Sequence, residues 1–399
     1  MAEVHDFGII VLLVAAGFAL AVLTSRVSER FSVPGPAIFL LAAAVASDLF
    51  PGLADELEIR EVERIGVVAL VVILFDGGAR IGLRRLRAVA APVLSLGVLG
   101  TFATAGVVTL AAHWLLGFGW VTAGLIGAAI APTDPAVMFS VLGRREVGGR
   151  TGTILEAESG ANDPVGIALM IGMIEFATHD DASFWTVVRE FSLEIAVGLA
   201  VGAAGAYGLV LLMRRVRLAS PGLYPVRTLA AAGVVYGAAS VLHGSGFLAV
   251  FIAGIVTGDE RSPYAEDVER FMTSLASLAE IAVFVALGLT IDLTSLSGRT
   301  WLDGLVLAVL LAVVARPVVA GVLLLPARLR FGERLFVMWS GLKGAVPIFL
   351  AAFAILAGVD DANRIYDIVF VVVLFSVAVQ GSSIPLAARL CGVPMREAR

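Results

Sequence analysis

Apolar runs about as long as a bilayer crossing follow one another from residue 7 to residue 391, each closed by a short polar loop. No single soluble core of ordinary size encloses that much apolar surface: 59% of the 399 residues are hydrophobic and the mean hydropathy is +0.97. Lipid is therefore the expected solvent, and the chain reads as an all-α membrane protein. We place thirteen spans at 7–24, 33–50, 65–82, 89–116, 121–142, 153–177, 187–213, 226–243, 245–258, 271–292, 303–327, 334–357 and 366–391. The eighth and ninth are short and share one Gly-marked break at His243 to Gly246.

Composition excludes several classes. Charged residues are 15% and the net charge is −5, which calls for no nucleic-acid partner. Cys391 is the only cysteine, so neither a disulfide framework nor a cysteine-based metal site is expected, and no cofactor is called for. Met1 to Asp6 lacks a basic stretch, so the first apolar run reads as a retained helix rather than a cleaved leader. Met395 to Arg399 leaves no room for a soluble domain, and function is expected within the membrane part. No His, Ser or Cys stands with a base and an orienting group at a spacing that marks an enzyme.

Basic residues set the orientation. Arg26 and Arg30, the Arg80 to Arg87 group, Arg144, Arg145 and Arg150, the Arg214 to Arg217 group, Arg328 and Arg330, and finally Arg389 and Arg396 fall in odd-numbered loops and at the C-terminus. Those sides are expected in the cytoplasm, with the N-terminus outside the cell membrane. Loops holding Asp55 to Glu63, Asp180 and Asp181, and Asp360 and Asp361 are acidic and fall on the other face. Parity also puts the acidic stretch Asp259 to Glu269 in the cytoplasm, an exception we retain because acidic residues weigh little in this rule.

Two spans carry helix-breaking residues at their centres. The fifth reads Ala131-Pro132-Thr133-Asp134-Pro135 and the twelfth Gly341-Leu342-Lys343-Gly344-Ala345-Val346-Pro347. Both are expected to unwind locally. Dividing the chain into a first repeat over 1–177, a linker helix over 187–213 and a second repeat over 226–391 makes them the fifth members of two six-helix halves. Broken helices at matching places point to a midplane site in a secondary transporter, and the single linker span makes the repeats inverted.

Counting about 1.5 Å per residue from the cytoplasmic ends puts Asp134, Asp163, Arg316 and Lys343 in one layer, about 12–16 Å deep, with Glu158 a turn nearer the cytoplasm. Ionisable groups at that depth are functional candidates. In Glu158-Ser159-Gly160-Ala161-Asn162-Asp163 the four-residue spacing puts Ser159 beside Asp163 and Glu158 beside Asn162. A monovalent cation site of oxygens is thus expected from Thr133, Asp134, Ser159 and Asp163, the break freeing the Thr133 carbonyl. Three carboxylates against Arg316 and Lys343 leave one negative charge, which one cation or one proton neutralises; mutual exclusion then couples the two fluxes one for one. Lys343 is the only lysine among 28 basic residues and reads as a charge partner steadying the broken helices, whereas Arg316 with Glu158 reads as a structural ion pair. Asp76 reads as a helix-end or packing residue because Gly77 and Gly78 suggest a terminus. Glu280 fits either a pore-side or a subunit-interface place. Glu156 points away from Glu158, and His113 and His243 read as interfacial.

Ala-Pro-Thr-Asp-Pro in the fifth span, Glu-Ser-Gly-Ala-Asn-Asp-Pro in the sixth, Ala-Arg-Pro in the eleventh and Gly-Leu-Lys-Gly-Ala-Val-Pro in the twelfth resemble the monovalent cation:proton antiporters of the Asn-Asp branch. Leu-Phe-Asp-Gly-Gly in the third span fits as well. The resemblance implies the sodium/proton antiporter fold with thirteen helices, a homodimer, a core domain moving against a dimerisation domain, and alternating access. It implies electroneutral exchange of Na+, K+ or Li+ for H+ in pH homeostasis. Asp163 and Asp134 would be the ion and proton ligands, Ser159 and Thr133 ion ligands, and Glu158, Asn162 and Arg316 the supporting network. One departure is Lys343, where that family more usually has Arg. A sodium-coupled symporter of an organic anion on a related inverted-repeat fold is the competing reading, and it would need a larger substrate pocket.

Overall fold

The structure is a computed structural model that describes residues 17, 19, 33–50, 58–142, 145–179, 184–260 and 263–397. The expected first span, 7–24, lies outside that set but for two residues. From there the chain is helix after helix: α1 (Gly35–Leu49), α2 (Ile59–Leu94), a π-helical segment (Ser95–Gly100), α3 (Thr101–Leu116), α4 (Trp120–Ile130) and α5 (Ala136–Leu142). Then follow α6 (Gly149–Thr178), α7 (Phe184–Arg215), α8 (Leu223–Val241), α9 (Gly246–Gly258), α10 (Ala265–Leu289) and α11 (Gly298–Leu310). A second π segment (Leu311–Ala315) leads into α12 (Arg316–Leu323), and α13 (Phe331–Trp339), α14 (Ala345–Leu356), α15 (Ala362–Phe375), a third π segment (Ser376–Gln380) and α16 (Ile384–Leu390) complete the helices. Five stretches among the described residues are long and apolar enough to cross a membrane: Ile59–Leu116, Val188–Arg215, Ala265–Leu289, Gly298–Leu323 and Ala362–Leu390.

The first of these is 58 residues long, more than one crossing needs, and a backbone kink interrupts it. Gly82 supplies it, with φ 67° and ψ 158° inside α2. Only glycine adopts that left-handed region without strain. Asp259 holds the bend: its carboxylate touches Gly82 and accepts the Arg84 backbone N–H at 2.8 Å. Gly77 and Gly78, in contrast, lie inside the helix. A Cβ at Gly78 would meet the α9 backbone, and one at Gly254 or Gly258 would meet α2 at Phe75 and Ala79. Small residues here admit close backbone approach, the usual way helices associate where lipid removes the hydrophobic drive. The expected helix terminus beside Asp76 is therefore corrected; the break comes at Gly82, and of the two glycines before it Gly78 serves the packing of α2 on α9.

Three contacts put several loops on one side of the molecule. Arg214 at the end of α7 makes a two-pronged ion pair with Glu260 at 2.7 and 2.8 Å, which holds the Glu260 carboxyl below its usual range. Asp259 clamps the Gly82 bend. Farther along the chain, β1 (Arg145–Val147) pairs antiparallel with β2 (Met395–Glu397), closed by Arg396 on Glu146 at 2.9 Å.

Candidate functional site

Two helix breaks meet at the centre of the fold. α4 ends at Ile130 and α5 resumes at Ala136, while α13 ends at Trp339 and α14 starts at Ala345. Pro135 has no N–H to return to the Ala131 carbonyl four residues back, so the last carbonyls of α4 need another donor. Lys343 is that donor: its Nζ lies 2.7 Å from both the Ala131 and the Pro132 oxygens, and the side chain is 1% exposed. The ammonium sits at the electronegative end of one half-helix. Asp134 does the converse, for its carboxylate lies against Gly344, the residue that caps the electropositive start of α14. The Asp134 N–H also donates to the Leu342 carbonyl at 2.8 Å. Each break thus supplies the other with the charge its helix end favours.

The twelfth-span break is tied down further. The Lys343 N–H donates to Ser376 Oγ at 2.8 Å, Ser376 donates to Gln380 Oε1 at 3.2 Å, and Gln380 Nε2 donates to the Trp339 carbonyl at 2.6 Å, at the end of α13. Sequence reasoning missed Ser376 and Gln380. Two polar residues four apart in an otherwise apolar run were the available signal.

α6 passes beside this crossing without a break and carries Glu158, Ser159, Asn162 and Asp163, all buried. Asn162 reads the unwound strand, donating from Nδ2 to Thr133 Oγ1 at 2.7 Å and accepting the Thr133 N–H at 3.3 Å. Glu158 receives both ends of the Arg316 guanidinium, at 2.5 and 2.8 Å, with exposures of 1% and 5%. Arg316 follows directly on the second π segment, whose extra residue sets where its side chain emerges. Asp163 is 6% exposed, the charges acting on it are those of Asp134 and Lys343, and its Oδ1 has no hydrogen-bond partner among the described residues. Ser159 lies one turn away, also buried.

The remaining candidates separate. Asp76 is buried, paired with Arg80 at 2.8 Å and accepting from the Thr273 hydroxyl at 3.3 Å. Glu280 on α10 has a buried Oε1 without a partner among the described residues, and the charge of Asp134 acts on it. That gives the residue a place on the side of the crossing. Glu156 lines a pocket with Arg85, Arg150 and Arg396 at the loop end. His113 bonds the Phe118 carbonyl at 2.7 Å and stacks on Trp120, an end-of-helix arrangement.

A Cβ at Gly344 would overlap the Asp134 carboxylate. Gly344→Ala is therefore expected to lower the melting temperature in detergent, at a cost of about 1–3 kcal/mol. Gly237→Ala, where an added Cβ meets nothing within 4 Å, should melt no lower than the unmodified protein. Equal melting of the two variants would mean that Asp134 does not rest on the α14 start.

This crossing of two broken helices beside a carboxylate-bearing helix defines a membrane transporter rather than an enzyme. Residues 13–390 match the family of transmembrane sodium/hydrogen exchangers, and the chain belongs to it. It is 35% identical over 95% of its length to a K+/H+ antiporter NhaP of Alkalimonas amylolytica, and 34% identical over 98% to a K+/H+ antiporter NhaP2 of a Shewanella strain. It spans 66% and 68% of the length of those two relatives, about two thirds of each. The Na+/H+ antiporter NhaP of Pseudomonas aeruginosa is 28% identical, with 96% of this chain and 98% of that one covered. The fold is that of the sodium proton antiporter MjNhaP1 of Methanocaldococcus jannaschii, at TM-score 0.82 and 23% identity over 94% of this chain and 100% of the other.

Proposed function

We propose that the protein exchanges a monovalent cation, Na+, K+ or Li+, for a proton across the cell membrane by alternating access, one for one and without net charge movement. The observation that carries this reading is the orphaned Asp163 carboxylate oxygen, buried beside the helix crossing and within the field of Asp134 and Lys343. Burying an unpaired carboxylate is costly. A cation or a proton removes that cost, and both cannot do so at once. Asp163 and Asp134 are the shared ligands, with oxygens of Ser159 and Thr133 completing the cation's shell. Asn162 holds Thr133 in register, Lys343 and Asp134 cap the broken helices, and the Glu158–Arg316 pair braces α6 against α12. Glu280 adds a fourth carboxylate near the site, so one-for-one exchange requires that its protonation not change during the cycle.

The arrangement also supports two inverted six-helix repeats with 187–213 as linker. Breaks interrupt the fifth member of each half, and π segments fall in the fourth, at Ser95–Gly100 and Leu311–Ala315. The contacts of Asp259 and Glu260 with the third and seventh loops support a reading in which that acidic stretch shares the side of the Arg-rich loops, the cytoplasm. The N-terminus then lies outside, and two copies form a homodimer.

Purified protein in vesicles with an imposed pH gradient tests the exchange, challenged with each cation in turn. At least one cation is expected to drive proton movement, at a rate unaffected by a diffusion potential set with a permeant ion that is not itself transported. No proton movement with any of the three removes the proposal, and a rate that follows the potential removes the one-for-one count.

A further inference from the structure

A pocket of 390 Å³ opens at the loop end of the core helices, and three arginines from separate segments line it: Arg87 of α2, Arg150 at the start of α6 and Arg328 after α12. No carboxylate lines it, and among the described residues Arg87 and Arg328 have no ion-pair or hydrogen-bond partner. Pro92 is part of the pocket wall. Without an N–H, Pro92 leaves the Ala88 carbonyl without its helical donor, and Arg150 reaches across to that oxygen at 3.5 Å. The helix then widens into the π segment at Ser95, which also lines the cavity. Two guanidiniums without a partner among the described residues converge on one concavity with a third, Arg150, which donates to a backbone carbonyl and borders the neighbouring pocket of Glu156. Such a set calls for an anion with several acceptor oxygens.

Directly beside the pocket the same helices turn large apolar residues outward. Leu94, Val322 and Leu325 are 60%, 60% and 64% exposed, and each is within three residues of a pocket residue in sequence. A charged head and an apolar tail are thus provided for side by side. We propose that this pocket binds the phosphate-bearing headgroup of an anionic phospholipid, held by Arg87, Arg150 and Arg328, with an acyl chain along Leu94, Val322 and Leu325. Basic pockets between membrane helices recognise such headgroups through charge and shape together.

Protein purified in neutral detergent should retain phosphatidylglycerol in preference to phosphatidylcholine when both are offered, read as lipid adducts by native mass spectrometry. The Arg87→Gln/Arg150→Gln/Arg328→Gln variant is expected to lose about a hundredfold in that affinity, from three surface arginines acting additively. Arg217→Gln, exposed just past the end of α7, should bind as the unmodified protein does. Should the triple variant fail to fold, Arg87→Gln and Arg328→Gln singly are each expected to lose several-fold. Equal retention of the two lipids by the unmodified protein, or unchanged retention by the folded variants, overturns the proposal. Glycerol phosphate and inorganic phosphate form the second arm. Full competition by either at millimolar concentration would assign the pocket to a soluble anion and overturn the lipid assignment.

Discussion

Vesicles carrying Asp163→Asn are expected to show no cation-driven proton movement, while the protein itself stays folded and melts at or above the unmodified temperature. The two halves of that expectation come from one observation. The carboxylate has a buried oxygen with no partner among the described residues and lies in the field of a second carboxylate, Asp134. Such a group is unfavourable in the resting fold, and the asparagine amide removes its charge and brings donors of its own. What is lost is the one group that a cation and a proton contest. Retained exchange in Asp163→Asn would remove the central claim about the site. Loss of exchange with a large fall in melting temperature would contradict it too, because the carboxylate would then be structural rather than a ligand.

The parts of this site that were legible in the sequence are those whose physics is local. Pro132 and Pro135 close together in one apolar run, and Gly341, Gly344 and Pro347 in another, weaken the helix locally, so both breaks could be read directly. The four-residue spacing of Ser159 and Asp163 needs only a helix, and a solitary lysine in an arginine-rich chain marks itself. How the breaks serve one another was not legible. Lys343 and the Ala131 carbonyl are 212 residues apart, and nothing near either names the other. Ser376 and Gln380 stayed hidden for the same reason, since their partners are backbone groups at a distant break. Gly77, Gly78 and Gly82 show the complementary limit. All three are glycines in one apolar run, but only Gly82 takes a positive φ; Asp259 lies against Gly82 and the α9 backbone against Gly78, while an added Cβ at Gly77 would meet nothing. The π segments leave no compositional trace, because one extra residue in a turn changes the exit direction of Arg316 without changing its neighbours.

Arg316→Ala is expected to destabilise the protein strongly, and Glu158→Ala to do the same. The two side chains are 5% and 1% exposed and joined by two charge-assisted hydrogen bonds at 2.5 and 2.8 Å. Removing one partner leaves the other charge buried without compensation, a loss of about 3–5 kcal/mol in soluble proteins. Arg316 also donates to the Val337 carbonyl and rests against Gly341, so its loss loosens the approach to the twelfth-span break as well. Arg316→Lys should recover only part of the loss, because an ammonium cannot reproduce the two-pronged geometry. The double variant Glu158→Gln/Arg316→Gln is expected to melt above either alanine variant, since it removes both charges and keeps hydrogen-bonding groups in place. Thermal unfolding of the five proteins in one detergent decides the matter. If Arg316→Ala melts normally but shifts the apparent cation affinity, the pair is not a brace, and Arg316 belongs with Asp134 and Asp163 among the groups that compete with the transported ion.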